Sequence, residues 1–129
     1  MNLFDASAIL NLLHDGKSEM LMGGCTLDLA DYELGSAVRR KVCLDRSLSI
    51  AEGAAALEVF GEVTAAMART RASSLPAVLE VACGEGLTFY DASYLVAAQE
   101  GRHRLVTDDE RLLKAAARKT RTCRSTDLV

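Results

Sequence analysis

The residues most able to do chemistry here are acids. Asp5 closes a short apolar run, Asn2-Leu3-Phe4, and Asp108-Asp109 follow a second one, Arg104-Leu105-Val106, after Thr107. Glu33 and Asp91 fall in early turns of helical stretches able to face the same edge. Carboxylates gathered at one edge repel one another, so they call for cations. Hard oxygen ligands select magnesium or manganese. Each acid also has a plain structural use. Asp91 and Asp109 suit the first turn of a helix, where the dipole favours a carboxylate by about 0.3 to 1 kcal/mol. Asp108 and Glu110 suit capping, Asp5 can cap the first helix, and Glu33 can face solvent. Asp5 is the hardest to explain in that way, because an acid between Phe4 and a strand-to-helix turn is poorly placed for full exposure.

The elements that must position these acids are legible in outline. Asn2 to Phe4 reads as a buried strand running into a helix that begins near Ala6, and Cys25-Thr26-Leu27 as a second strand after Gly23-Gly24. A helix follows from about Leu29 to Val42, with Leu34, Ala37, Val38 and Val42 on one face and Arg39, Arg40 and Lys41 near its end, where cations complement the dipole. Ser49 and Glu52 have capping-box spacing and open a helix with apolar positions Ile50, Ala54, Leu57, Phe60, Val63 and Met67. Further helices are expected from Ser73-Ser74-Leu75-Pro76 to Gly84-Glu85-Gly86 and from Phe89 to Glu100. Arg104 to Val106 reads as a strand, Thr107 and Glu110 as a second capping box opening a helix from Arg111 to Lys119, and Thr120 to Arg124 as a last strand. Strands alternating with helices predict an α/β fold with a mostly parallel central sheet flanked by helices, in which ligands bind at the carboxyl ends of the strands.

Composition bounds the rest. A chain of 129 residues, half of them hydrophobic and only one a proline, has the size of a single domain over 1–129. No apolar run approaches the roughly 18 residues needed to cross a bilayer, and the first residues lack a basic stretch and cleavage site, so a soluble cytoplasmic protein without membrane partners is expected. Cys25, Cys43, Cys83 and Cys123 are far apart with no histidine at ligand spacing, which excludes a zinc motif and predicts buried free thiols. The net charge of −3 divides unevenly: residues 1–100 carry 7 Lys/Arg against 14 Asp/Glu, and residues 101–129 carry 8 against 4. The basic end can track phosphates or can be a solvated surface.

Four segments, Leu3-Phe4-Asp5-Ala6-Ser7-Ala8-Ile9, Asp31-Tyr32-Glu33-Leu34, Thr88-Phe89-Tyr90-Asp91-Ala92-Ser93-Tyr94 and Leu105-Val106-Thr107-Asp108-Asp109-Glu110-Arg111-Leu112, resemble in order the successive motifs of PIN-domain nucleases. The resemblance is strongest to single-domain VapC-type toxins of toxin–antitoxin pairs and extends over essentially the whole chain. It implies a single-domain PIN-like fold and a catalytic, metal-binding quartet of Asp5, Glu33, Asp91 and Asp109. Ser7 and Thr107 would be supporting hydroxyls, with Asp108 an additional acid beside the last motif. It further implies an endoribonuclease that uses Mg2+ or Mn2+ to hydrolyse RNA, a homodimer, and a cognate antitoxin that blocks the site.

Carboxylates suffice for such chemistry, since paired divalent ions activate water and neutralise the scissile phosphate without a side-chain nucleophile. His14 and His103 receive no role. Arg39, Arg40, Arg102, Arg104, Arg118 and Lys119 are the candidates for backbone phosphates. An aspartyl phosphatase of the haloacid-dehalogenase type fits less well, because Ser7 stands where that family has a second acid. A response-receiver domain fails on the order of its acids. The remaining alternative is a PIN fold kept as an RNA- or protein-binding module with little turnover.

Overall fold

The computed structural model describes residues 1–128; Val129, at the end of the expected 1–129 domain, lies outside the described residues. The chain runs β1 (Asn2–Phe4), α1 (Ala6–His14), a 3-10 turn (Ser18–Leu21), β2 (Cys25–Thr26), α2 (Leu29–Arg39) and a π-helical continuation (Arg40–Leu44). It continues with α3 (Ile50–Ala65), β3 (Ala68–Arg69), α4 (Leu75–Glu85), α5 (Phe89–Gly101), β4 (Arg104–Val106), α6 (Glu110–Ala117), β5 (Thr122–Cys123) and a closing 3-10 turn (Ser125–Asp127). The strands form one sheet in the order β3-β2-β1-β4-β5, with every pairing parallel.

Successive side chains of a strand point to opposite faces, and β1 and β4 use this to build a core on each side of the sheet. Leu3 and Leu105 face one layer, which Val78, Leu95 and Leu112 from α4, α5 and α6 complete. Phe4 and Val106 face the other, with Ile9 and Leu12 from α1 and Ala30 and Leu34 from α2. Leu3, Phe4, Leu105 and Val106 are completely buried. The result is the α/β arrangement, a parallel sheet flanked by helices, expected of a PIN-like fold. Among the described residues no helix is long and apolar enough to cross a membrane.

The sheet order places β1 between β2 and β4, so the chain winds away from β1 in both directions. Such a reversal opens a crevice at the carboxyl ends of the two central strands. Asp5 ends β1 there, and Thr107-Asp108-Asp109 follow β4.

Several expectations need adjustment. The helix expected to reach Val42 is α-helical only to Arg39 and widens into a π turn at Arg40. The Ser49–Glu52 capping box forms as expected, but α3 ends at Ala65 and Met67 precedes a two-residue edge strand that has no apolar alternation to announce it. Ile50 and Leu57 are exposed because α3 packs on α2 and not on the sheet, with Gly53 lying over Val38 and Val42. The second capping box is displaced: Asp109, not Thr107, is the N-cap of α6, its carboxylate accepting from the Leu112 amide. All four cysteines are free, but only Cys25 is buried; Cys43 and Cys83 are exposed and Cys123 is intermediate.

Candidate active site

Asp5 is the centre of the crevice. It is the N-cap of α1, and its Oδ1 accepts from the Ala8 amide at 3.0 Å and from the Ser7 hydroxyl at 2.7 Å. Oδ2 accepts from the Thr107 hydroxyl. Each hydroxyl is in turn held by backbone following β4: the Asp108 amide donates to Ser7 Oγ at 3.0 Å and the Asp109 amide to Thr107 Oγ1 at 3.1 Å. A hydroxyl has one proton to donate, so these backbone bonds aim both protons at Asp5. The supporting residues expected from sequence, Ser7 and Thr107, therefore tie β1 to the end of β4.

Glu33 comes from the second turn of α2, where Ala30 and Leu34 face the core and leave Glu33 half-buried at the rim. Its Oε1 accepts from the buried Tyr94 hydroxyl at 2.7 Å. Asp91 lies in the first turn of α5, whose N-cap Thr88 accepts from the Asp91 amide. Tyr94, one turn after Asp91 on the same face, thus connects α5 to Glu33 and is a site residue that sequence reading passed over. Its signal was present: a tyrosine buried in a helix needs a partner for its hydroxyl.

The acids feel one another. Burial pushes the Asp5 carboxyl up to about 6, against its three hydrogen bonds and with a further push from the Asp91 charge. Burial also raises Glu33, opposed by the Tyr94 bond and reinforced by the charges of Asp5 and Asp91. Asp91 is raised by burial and then by Asp109, against the Thr88 bond and the Arg111 charge. All four acids of the expected quartet thus belong to one electrostatic group. Among the described residues none of the four has a salt bridge to lysine or arginine. Nor do three histidine, cysteine or acidic side chains stand close enough together to hold a metal ion. The donor set is all hard oxygen and forms no ion pair with a basic side chain among the described residues, which fits magnesium or manganese chemically.

Asp108 does not serve as a cap for α6. Its Oδ1 accepts from the Ser125 amide at 2.8 Å, and its Oδ2 from the Ser125 hydroxyl at 2.6 Å and Asn11 at 2.8 Å. It fastens the segment after β5 to α1, with both oxygens engaged. The basic candidates also sort themselves. Arg118 and Lys119 both pair with Glu85, and Arg104 bonds Asn2. Arg40 instead lines an open cleft of about 560 Å³ together with Leu29, Tyr32, Glu33, Ser36 and Tyr90.

Similarity to this chain is found in Pyrobaculum aerophilum. The exonuclease VapC9 is 38% identical over 87 residues, a stretch that makes up 67% of this chain and 62% of that protein. The crystal structure of PAE2754 superposes with a TM-score of 0.81 at 29% identity, covering 98% of this chain and 90% of the other. No protein-family model matches. The likeness in sequence thus spans two thirds of this chain and less than two thirds of the relative, while the likeness in fold, consistent with a PIN-like fold, spans nearly all of this chain.

Proposed function

We propose that the chain is a divalent-metal-dependent nuclease that hydrolyses RNA phosphodiester bonds as the toxin of a toxin–antitoxin pair. The observation that carries this reading is the group of four carboxylates, three of them held partly or wholly out of solvent and pushed toward protonation, at the crevice between β1 and β4. Mutual repulsion among buried acids is a cost that a fold without a cation to bind has no reason to keep. The likeness to a protein named VapC9 exonuclease supports the same chemistry.

In this reading Asp5, Glu33, Asp91 and Asp109 are the metal ligands. Bound divalent ions would supply a water of lowered pKa and charge neutralisation at the phosphate. The chain's own part is positional. Ser7 and Thr107 fix the plane of the Asp5 carboxylate, leaving Oδ2 with a lone pair beyond the Thr107 bond. Tyr94 occupies one oxygen of Glu33 and leaves the other free. The Leu112 amide holds Oδ1 of Asp109, so Oδ2 is the oxygen left for a metal. A second copy of the chain and an antitoxin are the expected partners, and the exposed Ile50, Leu57 and Val59 of α3 offer an apolar surface for one of them.

The test is cleavage of a structured RNA panel by purified protein with manganese or magnesium, with chelator, and by an Asp91→Asn variant. Metal-dependent cutting that disappears in the variant is expected, and products separate internal cutting from trimming at an end, the activity in the relative's name. Well-folded protein that binds neither metal nor RNA would sink the reading; binding of RNA with no cutting would favour the binding-module alternative.

A further inference from the structure

One stripe of α2 runs from a partly buried end at Leu29 and Glu33 to an exposed end at Ser36 and Arg40. Leu29, Tyr32, Glu33, Ser36 and Arg40 follow the spacing of a single helical stripe, and that stripe, with Tyr90 of α5, lines the cleft beside the acids. Tyr32 is 76% exposed and Tyr90 59% exposed, so neither ring contributes to the core. Arg40, exposed at the start of the π turn, has no carboxylate partner among the described residues. Two solvent-facing aromatic rings and a free guanidinium in a cleft that shares Glu33 with the acidic site are unexplained by folding.

We propose that Tyr32, Tyr90 and Arg40 form a subsite that stacks and holds an unpaired nucleotide beside the acids. This rests on the nuclease reading of the acids. The chemistry of the cleft selects the occupant. Base faces stack on exposed aromatic rings regardless of base identity, and only unpaired bases expose both faces. Arg40 supplies the positive charge that a backbone phosphate needs at the far end of the same stripe. Ser36, between them, offers a hydroxyl able to donate or accept. An apolar partner helix would be poorly served here, because Ser36 and Arg40 would be desolvated without partners.

Fluorescence anisotropy tests this with a 5′-fluorescein-labelled, mixed-sequence RNA of about 12 nucleotides, alone and annealed to its complement, in calcium, with the recovered RNA checked for being uncut. Single strand is expected to bind the full chain at least about tenfold more tightly than duplex. Tyr32→Ala and Tyr90→Ala should each weaken single-strand binding about tenfold, while Tyr32→Phe and Tyr90→Phe stay within about twofold, since stacking needs the ring and not the hydroxyl. Arg40→Gln should flatten the slope of log affinity against log salt by about 0.7. Both tyrosines are exposed, so unchanged melting temperatures provide the folding control. Equal binding of single strand and duplex, or alanine variants that bind like the parent chain, would overturn the subsite. So would alanine variants that lose self-association in sedimentation and keep RNA binding, which would make the cleft a contact between two copies. A chain that cuts RNA with manganese but is indifferent to both tyrosines keeps its acids and lacks the subsite; tyrosine-dependent binding by a chain that cuts nothing removes the nuclease reading alone.

Discussion

Ser7 and Thr107 each direct a single hydroxyl proton to Asp5, and Thr107 is completely buried while doing so. Thr107→Val keeps the shape but leaves a buried carboxylate oxygen without its donor, a loss of about 1 to 3 kcal/mol. Thr107→Ser, which keeps the hydroxyl, should lose less; urea denaturation of the two variants checks the order, and equal losses would assign the effect to packing. Asp5 also makes stability depend on pH. Its carboxyl is raised from 3.8 to about 6, so the folded chain holds a proton that the unfolded chain has already released. This contribution is fully present below pH 3.8, falls as pH rises through about 6, and is constant above; the difference corresponds to about 3 kcal/mol. Denaturation midpoints in chelator should decline over that window, and Asp5→Asn should flatten the decline. A wild-type midpoint that rises between pH 4 and 6 would contradict the burial of a protonated Asp5.

Helix α3 separates packing from propensity. A Cβ on Gly53 would meet Val42 Cγ2 at 2.8 Å and Val38 Cγ1 at 3.1 Å, whereas one on Gly61 would meet nothing within 4 Å. Replacing an interior helical glycine by alanine gains roughly 0.8 to 1 kcal/mol of propensity. At Gly53 that gain is set against overpacking of about 1 to 3 kcal/mol on two β-branched, rotamer-poor side chains. Gly53→Ala should therefore destabilise by about 1 kcal/mol net and Gly61→Ala should stabilise by about 0.5 to 1 kcal/mol. Opposite signs in chemical denaturation establish that α3 is held by close approach to α2; a stabilising Gly53→Ala would show that the two helices part readily.

For the whole molecule, the acidic group couples the site to global stability. A ligand that binds only the folded chain stabilises it by about 2.7 kcal/mol at a hundredfold excess over its dissociation constant. Millimolar manganese should raise the melting temperature relative to chelator, and Asp91→Asn should lose that rise while melting higher than the parent chain in chelator, because one like charge is gone. Identical melting of the parent chain with and without metal would count against the metal reading. The charge asymmetry matters less than its totals imply. Of the basic side chains after residue 100, Arg118 and Lys119 share Glu85 and Arg124 pairs with Glu110, so part of the excess is engaged within the fold while the region as a whole stays basic.

Leu3-Phe4 and Leu105-Val106 declared the two central strands because two adjacent apolar residues that face opposite cores leave a local pattern. Ser49 with Glu52, Ser74 with Pro76, and Gly86 marked helix ends because capping is chemistry between neighbours. The four acids were legible as candidates from their places at the ends of these elements. The edge strand Ala68–Arg69 was not, since an edge strand needs only backbone groups and two residues leave no period. Local pattern does not choose between Asp108 and Asp109, because both suit a helix start; the family resemblance alone singled out Asp109. Asn11 and Ser125, distant along the chain, take both oxygens of Asp108 and leave Asp109 to cap α6. The amino-acid order by itself determined what each segment can form locally. Only the tertiary structure decided that Tyr94 reaches Glu33 and that Tyr32 and Tyr90 share a cleft, because those pairs join residues of α2 and α5 that are distant along the chain.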